Sequence, residues 1–199
     1  MGFSLSWVAV KTENQDAVLE TLGFAATTET DEYFESDLAG VVLRDDWYLV
    51  VGQGSNNLII AKESLADLSR IGMVIACSVE EHVMVSSAEC WFAGEKRWQV
   101  THNAQESLMN LTAEGQLPAR FETLKAQYLA DQEEDSGESA DVDHVFEVPL
   151  ALASTLVGFK HDEDCSDVFA AGLPVVLSGS HESEATFTFE IKKPWWKFW

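Results

Sequence analysis

The sequence predicts an α+β fold, with an antiparallel or mixed sheet centred on residues 73–102 and helices packed against it. The apolar run Met73–Val79 is typical of a strand that is covered on both faces. Two further segments of strand length follow it at hairpin spacing. Outside this region, apolar residues recur at helical spacing in several segments. Packing these helices against the sheet would bury the apolar faces of the helices and of the strands together.

The clearest hairpin is predicted around Gly94, which separates two of these strand-like segments. A two-residue turn made of Gly94 and the residue after it, with glycine supplying the positive φ, would place Trp91 opposite Trp98. The same register would place His102 opposite Ser87. A cross-strand tryptophan pair would stabilise this register by about 0.2–1 kcal/mol relative to alanine pairs.

A strand followed by a helix is predicted at the start of the chain. Phe3–Val10 alternates, and the face that begins with Phe3 is expected to be fully buried. Asn14 can cap the next segment as a helix over residues 14–22, and Gly23 can end that helix.

The next part of the chain is predicted to contain a loop, a hairpin and a short helix. Residues 27–37 are polar and acidic, which indicates a loop. Apolar segments at 38–43 and 47–51 flank a short polar stretch, as is typical of a hairpin. Leucines at helical spacing predict a helix at 62–70.

Two helices are predicted in the second half of the chain, at Pro118–Gln132 and Pro149–Val157. Proline is favoured in the first turn of a helix, and apolar residues follow each proline at helical spacing. A short strand is expected at 144–148, directly before the second helix. An irregular segment at 165–183 and a final strand at 185–191 are expected to complete the fold.

Composition predicts that an acidic linker divides the chain. Residues 1–134 would form the main α+β domain, and residues 135–143 would form the linker. Residues 144–191 would form a smaller α+β part that packs on the main domain. A basic aromatic tail, residues 192–199, follows. The candidate partner-binding carboxylates in and before the linker are Asp131, Glu133, Glu134, Asp135, Glu138, Asp141 and Asp143.

The chain is strongly acidic, with 12 Lys and Arg against 34 Asp and Glu and a formal charge of −22. This charge repels phosphate backbones, so nucleic acid is not an expected partner. It attracts basic proteins over a long range, so we expect a basic protein partner whose association slows as salt is added. The three cysteines form no CxxC pair, which fits a reducing cytoplasm as the location.

Enzyme classes with strong local motifs are not favoured by the sequence. It contains no serine-nucleophile elbow, no zinc-protease helix motif, no phosphate loop and no dinucleotide fingerprint. No cofactor is therefore expected. Enzymes whose residues are gathered from distant segments remain open.

A metal-dependent hydrolase is the leading alternative function. His161, Asp162 and Asp164 place an imidazole and two carboxylates close together after the second predicted helix, and His144 lies before it. These four residues could bind a divalent cation. A solvated loop is the other interpretation, with His161 interacting favourably with the helix dipole.

A second candidate cluster lies between two predicted strands. Glu80, Glu81 and His82, together with His102, could bind zinc or form a general base with its orienting acid. In a strand ladder His82 and His102 would lie toward opposite ends of the hairpin arms. A polar turn is therefore the preferred interpretation of these residues.

The tail, residues 192–199, combines lysines with aromatic side chains, which suits a membrane interface or a partner's groove. A peripheral membrane adaptor with weak membrane contact is thus a third possible function. The tail could equally fold back onto the acidic body. No segment has the roughly 20 apolar residues that span a bilayer. The candidate partner-binding tryptophans are Trp195, Trp196 and Trp199.

Short motifs are spread over most of the chain up to about Asp164. They are Ser6–Val10 with Leu19–Phe24, Glu80–Met84 with Trp91 and Trp98, and Gly158–Asp164. These motifs resemble segments of a group of uncharacterised bacterial cytoplasmic proteins. The resemblance implies a bacterial cytoplasmic protein and brings no known activity, so it assigns no functional residues.

Charge, size and the missing catalytic motifs together predict a non-enzymatic binding protein. The most specific expectation is a bacterial inhibitory or immunity-type protein that occupies a basic site on a toxin or effector. Its Asp and Glu side chains would act as phosphate mimics toward Arg and Lys of that partner.

Overall fold

The computed structural model describes residues 2–135 and 137–179. Within these residues the chain forms a nine-stranded antiparallel sheet with four α-helices packed against it, which confirms the predicted α+β class. The strands are β1 (Ser4–Lys11), β2 (Phe24–Thr30), β3 (Leu38–Leu43), β4 (Trp47–Gln53), β5 (Val74–Glu80), β6 (Val85–Phe92), β7 (Glu95–Asn103), β8 (Thr112–Gly115) and β9 (Val175–Gly179). The helices are α1 (Gln15–Leu22), α2 (Lys62–Leu68), α3 (Phe121–Glu134) and α4 (Glu147–Val157).

The sheet is the middle of three layers, with strand order β2-β9-β3-β4-β1-β5-β6-β7-β8. Residues of α1 and α2 pack in the core on one face, and residues of α3 and α4 pack in the core on the other. The central strands β1 and β5 contribute to both cores: Trp7 and Cys77 face α3 and α4, whereas Val8 and Ala76 face α1 and α2. The prediction of a strand covered on both faces at residues 73–79 is confirmed. Each large apolar side chain buried here contributes about 1.5–3 kcal/mol.

The first strand and helix follow the local signals in the sequence. The Asn14 side chain accepts a hydrogen bond from the backbone N–H of Ala17, at 3.2 Å, and so caps α1. Gly23 ends the helix in the left-handed conformation, with φ of 73°, which glycine adopts without steric cost. The predicted cap and end of this helix are confirmed. Phe3, however, is 45% exposed, so the face predicted to be buried is covered only from Leu5 onward.

The hairpin of β6 and β7 forms with a different turn from the predicted one. Its turn consists of Ala93 and Gly94, with φ of 56° and 82°. Positive φ at both central positions matches the right-handed twist of the two strands. The turn is therefore one residue earlier than predicted, and Trp91 lies opposite Lys96.

A β-bulge then separates the two tryptophans of this hairpin. Arg97 has no partner in the register, so that Cys90 lies opposite Trp98. Trp91 packs in the core beneath α1 and α2, and Trp98 packs in the core beneath α3 and α4. The predicted cross-strand tryptophan pair is wrong, because the two rings lie on opposite faces of the sheet.

The structure corrects three other element predictions. Residues 27–30 belong to β2 and not to a loop. Residues 144–146 form a turn and α4 begins at Glu147, so there is no strand at 144–148. The segment predicted to be irregular after residue 165 contains β9, which pairs with β2 and β3. The strand predicted at 185–191 lies outside the described residues.

The N-terminal turn of α4 explains why that helix starts before Pro149. The Asp143 side chain accepts a hydrogen bond from the backbone N–H of Phe146, at 3.0 Å. Phe146 is the residue directly before α4, so this contact holds the turn from which the helix begins at Glu147. The segment after residue 144 contributes α4 and β9 to the same sheet and cores as the rest of the described chain. The predicted division into domains stays a prediction.

Among residues 2–135 and 137–179, the structure contains no helix with the length and hydrophobicity of a transmembrane span.

Candidate functional site

A cleft of about 970 Å³ lies near the ends of β1 and β4, on the face of the sheet that carries α3 and α4. Leu5 and Val51 of these strands contribute to its floor. β2 and β3 both pair antiparallel to β9, so the connection over residues 31–37 must cross β9. This crossing brings Phe34 to the cleft, where it meets Phe159 from the segment after α4.

Edge-to-face aromatic contacts hold one wall of the cleft together. Phe159 packs against Trp7, with ring centroids 5.5 Å apart, and against Phe34 at 5.6 Å. Phe34 also contacts Phe169 at 6.3 Å. Such pairs contribute about 0.5–1.5 kcal/mol each beyond the burial of area. The wall is therefore anchored to the central strand of the sheet through Trp7.

The loop that carries Phe34 is ordered by one carboxylate. Asp31 accepts hydrogen bonds from the backbone N–H groups of Glu35 and Ser36, at 2.9 Å and 2.8 Å, and from the Ser36 hydroxyl. Partial burial raises the pKa of Asp31, but the hydrogen bonds from Ser36 and Glu35 outweigh it and lower the pKa below its usual value. This loop holds Phe34 in the left-handed conformation, with φ of 54°, which is unusual for a bulky residue.

The rim of the cleft is acidic. No lysine or arginine is among the described residues that line it. Five exposed carboxylates line it, on two segments that are distant in the sequence: Glu32, Glu35, Asp162, Glu163 and Asp164.

Lys160 lies next to this rim and is already paired. Its ammonium is 3.0 Å from Glu147, 2.9 Å from Asp162 and 3.5 Å from Glu163, and its side chain is mostly buried. Burial would lower the pKa of Lys160, but the hydrogen bonds to Asp162 and Glu147 raise it above its usual value. Lys160 therefore offsets part of the charge of Asp162 and Glu163, whereas Glu32, Glu35 and Asp164 form no ion pair within the described residues.

His161 lies in the lining of the cleft with one ring nitrogen unsatisfied. Its side chain is only 2% exposed and packs edge-on against Phe3, at 5.1 Å between centroids. Nε2 is 3.4 Å from Glu81 Oε1. Nδ1 is buried without a hydrogen-bond partner, and its distance to Asp162 Oδ1 is 3.8 Å. Buried polar atoms without partners are uncommon, so this nitrogen requires an explanation.

The four residues of the metal hypothesis do not come together. His144 Nε2 is 2.6 Å from Asp135, whereas His161 contacts Glu81. Asp164 accepts a hydrogen bond from the backbone of Ser166 at 3.0 Å, which explains its lowered pKa. Within residues 2–135 and 137–179, no group of three or more His, Cys, Asp or Glu side chains is arranged to hold a metal ion.

The second candidate cluster is a polar turn in which Glu80 is the common acceptor. Its carboxylate accepts hydrogen bonds from Ser4 Oγ at 2.6 Å and Ser55 Oγ at 3.0 Å. The ring of His82 is 2.7 Å from its other oxygen, and the His82 side chain is 61% exposed. These contacts connect β1, β5 and the loop after β4.

Glu80 is expected to have a measurable effect on acid stability. Hydrogen bonds from Ser4 and His82 lower its pKa from 4.5 to about 2. Because the folded-state pKa is the lower one, the contribution of Glu80 to stability is complete above about pH 4.5 and is lost as the pH falls toward 2. Urea unfolding should show that Glu80→Gln destabilises the protein at pH 6, with a difference from the wild type that shrinks by pH 3. A difference that does not change between these pH values would contradict this assignment.

His102 is separate from His82, although not for the predicted reason. His102 lies opposite Ser86, so it is at the same end of the hairpin as the turn that contains His82. The prediction that His102 faces Ser87 is wrong because the register is shifted by one residue. The prediction that the two histidines lie at opposite ends is wrong because β7 runs antiparallel to β6 and ends beside the turn that precedes β6. The His102 ring points into the core, where Nε2 is 2.8 Å from Asp143 Oδ2.

Several carboxylates of the acidic stretch predicted to bind a partner form contacts within the folded protein. Asp143 is buried against His102, Asp135 binds His144, and the Glu138 carboxylate accepts a hydrogen bond from the Ser107 hydroxyl. Asp141 is exposed, as are Glu133 and Glu134 at the end of α3. The three candidate tryptophans of the tail lie outside the described residues.

Several residues of the cleft could not be identified from the sequence. His161, Asp162 and Asp164 were among the candidates, but as metal ligands. Phe34 and the carboxylates beside it were part of a segment interpreted as a plain loop. The only local signal was an aromatic pair, Tyr33 and Phe34, within an otherwise polar stretch.

Comparisons with protein-family models, with curated proteins and with solved structures find no match to this chain.

Proposed function

We propose that the protein is a non-enzymatic acidic binding protein, of the bacterial inhibitory or immunity type, that occupies a basic site on a toxin or effector. The observation that carries this proposal is the cleft, which combines an aromatic wall with a rim of five carboxylates and no lining cation within the described residues. Such a surface is complementary to a patch of arginine and lysine side chains.

The exposed apolar residues of the cleft support a protein partner. Tyr33 is 75% exposed, Phe3 45% and Leu173 44%, and all three belong to the lining. Protein interfaces commonly place aromatic anchors at the centre and polar groups around them. The carboxylates around these anchors would form that polar rim.

The net charge of the protein would attract the partner before the two proteins make contact. A charge of −22 attracts a basic protein over distances comparable to the Debye length, which is about 8 Å at physiological ionic strength. Added salt screens this attraction. Capture of the partner should therefore decrease as salt rises, through slower association.

Neutralising the rim is expected to weaken capture of the basic partner by about tenfold or more, a change of about 1.4 kcal/mol. The test compares the wild type with the triple variant Glu32→Gln, Glu35→Gln and Glu163→Gln in affinity purification from the native host at low and at moderate salt. The reason for the loss is that three carboxylates no longer pair with the partner's cations.

The matched control removes the same charge from the opposite face. Glu13, Glu20 and Glu63 are exposed residues on or beside α1 and α2, and their triple change to Gln alters the net charge equally. This control should retain the partner. Equal loss in the two variants would mean that net charge alone attracts the partner, and recovery of no basic protein at low salt would refute the proposal.

A further inference from the structure

We infer that the cleft is an arginine pocket, in which His161 Nδ1 accepts an N–H group from the guanidinium of a partner's arginine side chain. This inference rests on the proposed function and names the chemistry of the group that the cleft binds. Its basis is the unpaired ring nitrogen, which is independent of the acidity of the rim.

The neighbours of His161 determine whether Nδ1 donates or accepts a hydrogen bond. Nε2 faces an oxygen of Glu81, and a carboxylate oxygen accepts hydrogen bonds, so Nε2 carries the proton. In the neutral ring Nδ1 then has a lone pair and is an acceptor. The nearest oxygen of Asp162, at 3.8 Å, is itself an acceptor that pairs with the Lys160 ammonium at 2.9 Å, so it gives Nδ1 no hydrogen bond. Nδ1 is thus an acceptor in the lining of the cleft to which the described part of the chain supplies no donor.

The groups around His161 Nδ1 suit a guanidinium better than an ammonium. It presents five N–H donors in a planar fork, which can bind carboxylates such as Asp162 and Asp164 in a bidentate manner. Its flat faces can stack on aromatic rings, and Phe3 and Tyr33 are exposed at the cleft. The ammonium of lysine is a compact point charge that makes less use of such rings.

The direct experiment follows the imidazole nitrogens of His161 by NMR in the full-length ¹⁵N-labelled protein. N-acetyl-L-arginine amide is the probe, with N-acetyl-L-lysine amide and N-acetyl-L-citrulline amide as comparisons. The arginine compound should shift the Nδ1 resonance of His161 in a saturable manner. The lysine compound should bind several-fold more weakly, and the neutral citrulline compound should cause no shift.

Variants assign the effect to His161. His161→Phe keeps a ring against Phe3 but removes Nδ1, and it should weaken binding of the arginine compound at least tenfold. Asp162→Asn changes an exposed rim residue and should also weaken binding, which provides a second variant if the first one folds poorly. His82→Phe is the matched control, since His82 is an exposed histidine that also binds a carboxylate, and it should bind as the wild type does.

The outcomes separate this inference from the proposed function. If the basic partner is captured normally but the arginine compound leaves the His161 resonances unchanged, the arginine pocket is refuted and the proposed function stands. If the arginine, lysine and citrulline compounds give equal shifts, the pocket is also refuted. If the arginine compound binds at His161 but no basic partner is captured, the pocket stands and the proposed function fails.

Discussion

Replacing Asp143 by alanine is expected to lower the free energy of unfolding by about 1–3 kcal/mol, the cost of leaving a buried hydrogen-bonding group without its partner. His102 is fully buried and Asp143 nearly so, and their side chains are 2.8 Å apart. The other ring nitrogen of His102 lies 2.6 Å from the carbonyl of Asn110. Without the carboxylate, Nε2 of His102 would be buried with no acceptor.

The same substitution removes a second contact, because Asp143 also accepts the N–H of Phe146, the residue directly before α4. Asp141→Ala is the matched control, since Asp141 is an exposed carboxylate of the same segment and its loss should change stability by no more than about 0.5 kcal/mol. Urea unfolding at neutral pH measures both variants. An Asp143→Ala variant as stable as Asp141→Ala would show that the buried pair contributes little to the fold.

Replacing Phe159 by alanine is expected to cost about 3–5 kcal/mol of stability and to weaken capture of the basic partner. Phe159 is 3% exposed and packs between Trp7 and Phe34. Its removal leaves a cavity beneath the cleft wall and withdraws support from the loop that carries Glu32 and Glu35. Phe159→Ala should therefore both destabilise the fold and disturb the geometry of the cleft.

Two comparisons separate packing from partner binding in that variant. Phe92→Ala removes a phenylalanine that is 51% exposed on the distant β6–β7 hairpin, and it should change neither capture nor stability strongly. Phe159→Leu keeps most of the apolar volume and should be more stable than Phe159→Ala. Partner capture that is as strong with Phe159→Ala as with the wild type would contradict the role assigned to this wall.

The parts of the fold that sequence analysis predicted well are those with local causes. Asn14 and Gly23 set the limits of α1 through contacts within a few residues, and an apolar run long enough for one strand indicated β5. These signals depend on neighbouring residues alone. They required no knowledge of the rest of the fold.

The errors arose where a distant partner determines the structure. β2 is a strand because β9 pairs with it, and neither segment has strong alternation of its own. In the β6–β7 hairpin, a turn shifted by one residue and a bulge at Arg97 placed Trp91 and Trp98 on opposite faces. Because side chains alternate along a strand, a difference of one residue reverses which core a tryptophan joins.

The candidate site, like the fold, was only partly predictable from the sequence. The acidity of the segment after Gly158 was visible in the sequence, and its residues do line the cleft. Their association with Phe34 and its neighbouring carboxylates depends on how the 31–37 connection crosses β9. The sequence contains no local signal for that crossing, so the aromatic wall and half of the acidic rim could not be predicted.

The most direct test of the central claim, that the cleft is the partner-binding surface, is hydrogen–deuterium exchange of the protein alone and in complex with its captured basic partner. We expect the partner to slow exchange in residues 31–37 and 159–169, which form the two sides of the cleft. Slower exchange confined to α1 and α2, with no change in these two segments, would contradict it and would move the binding surface to the opposite face of the sheet.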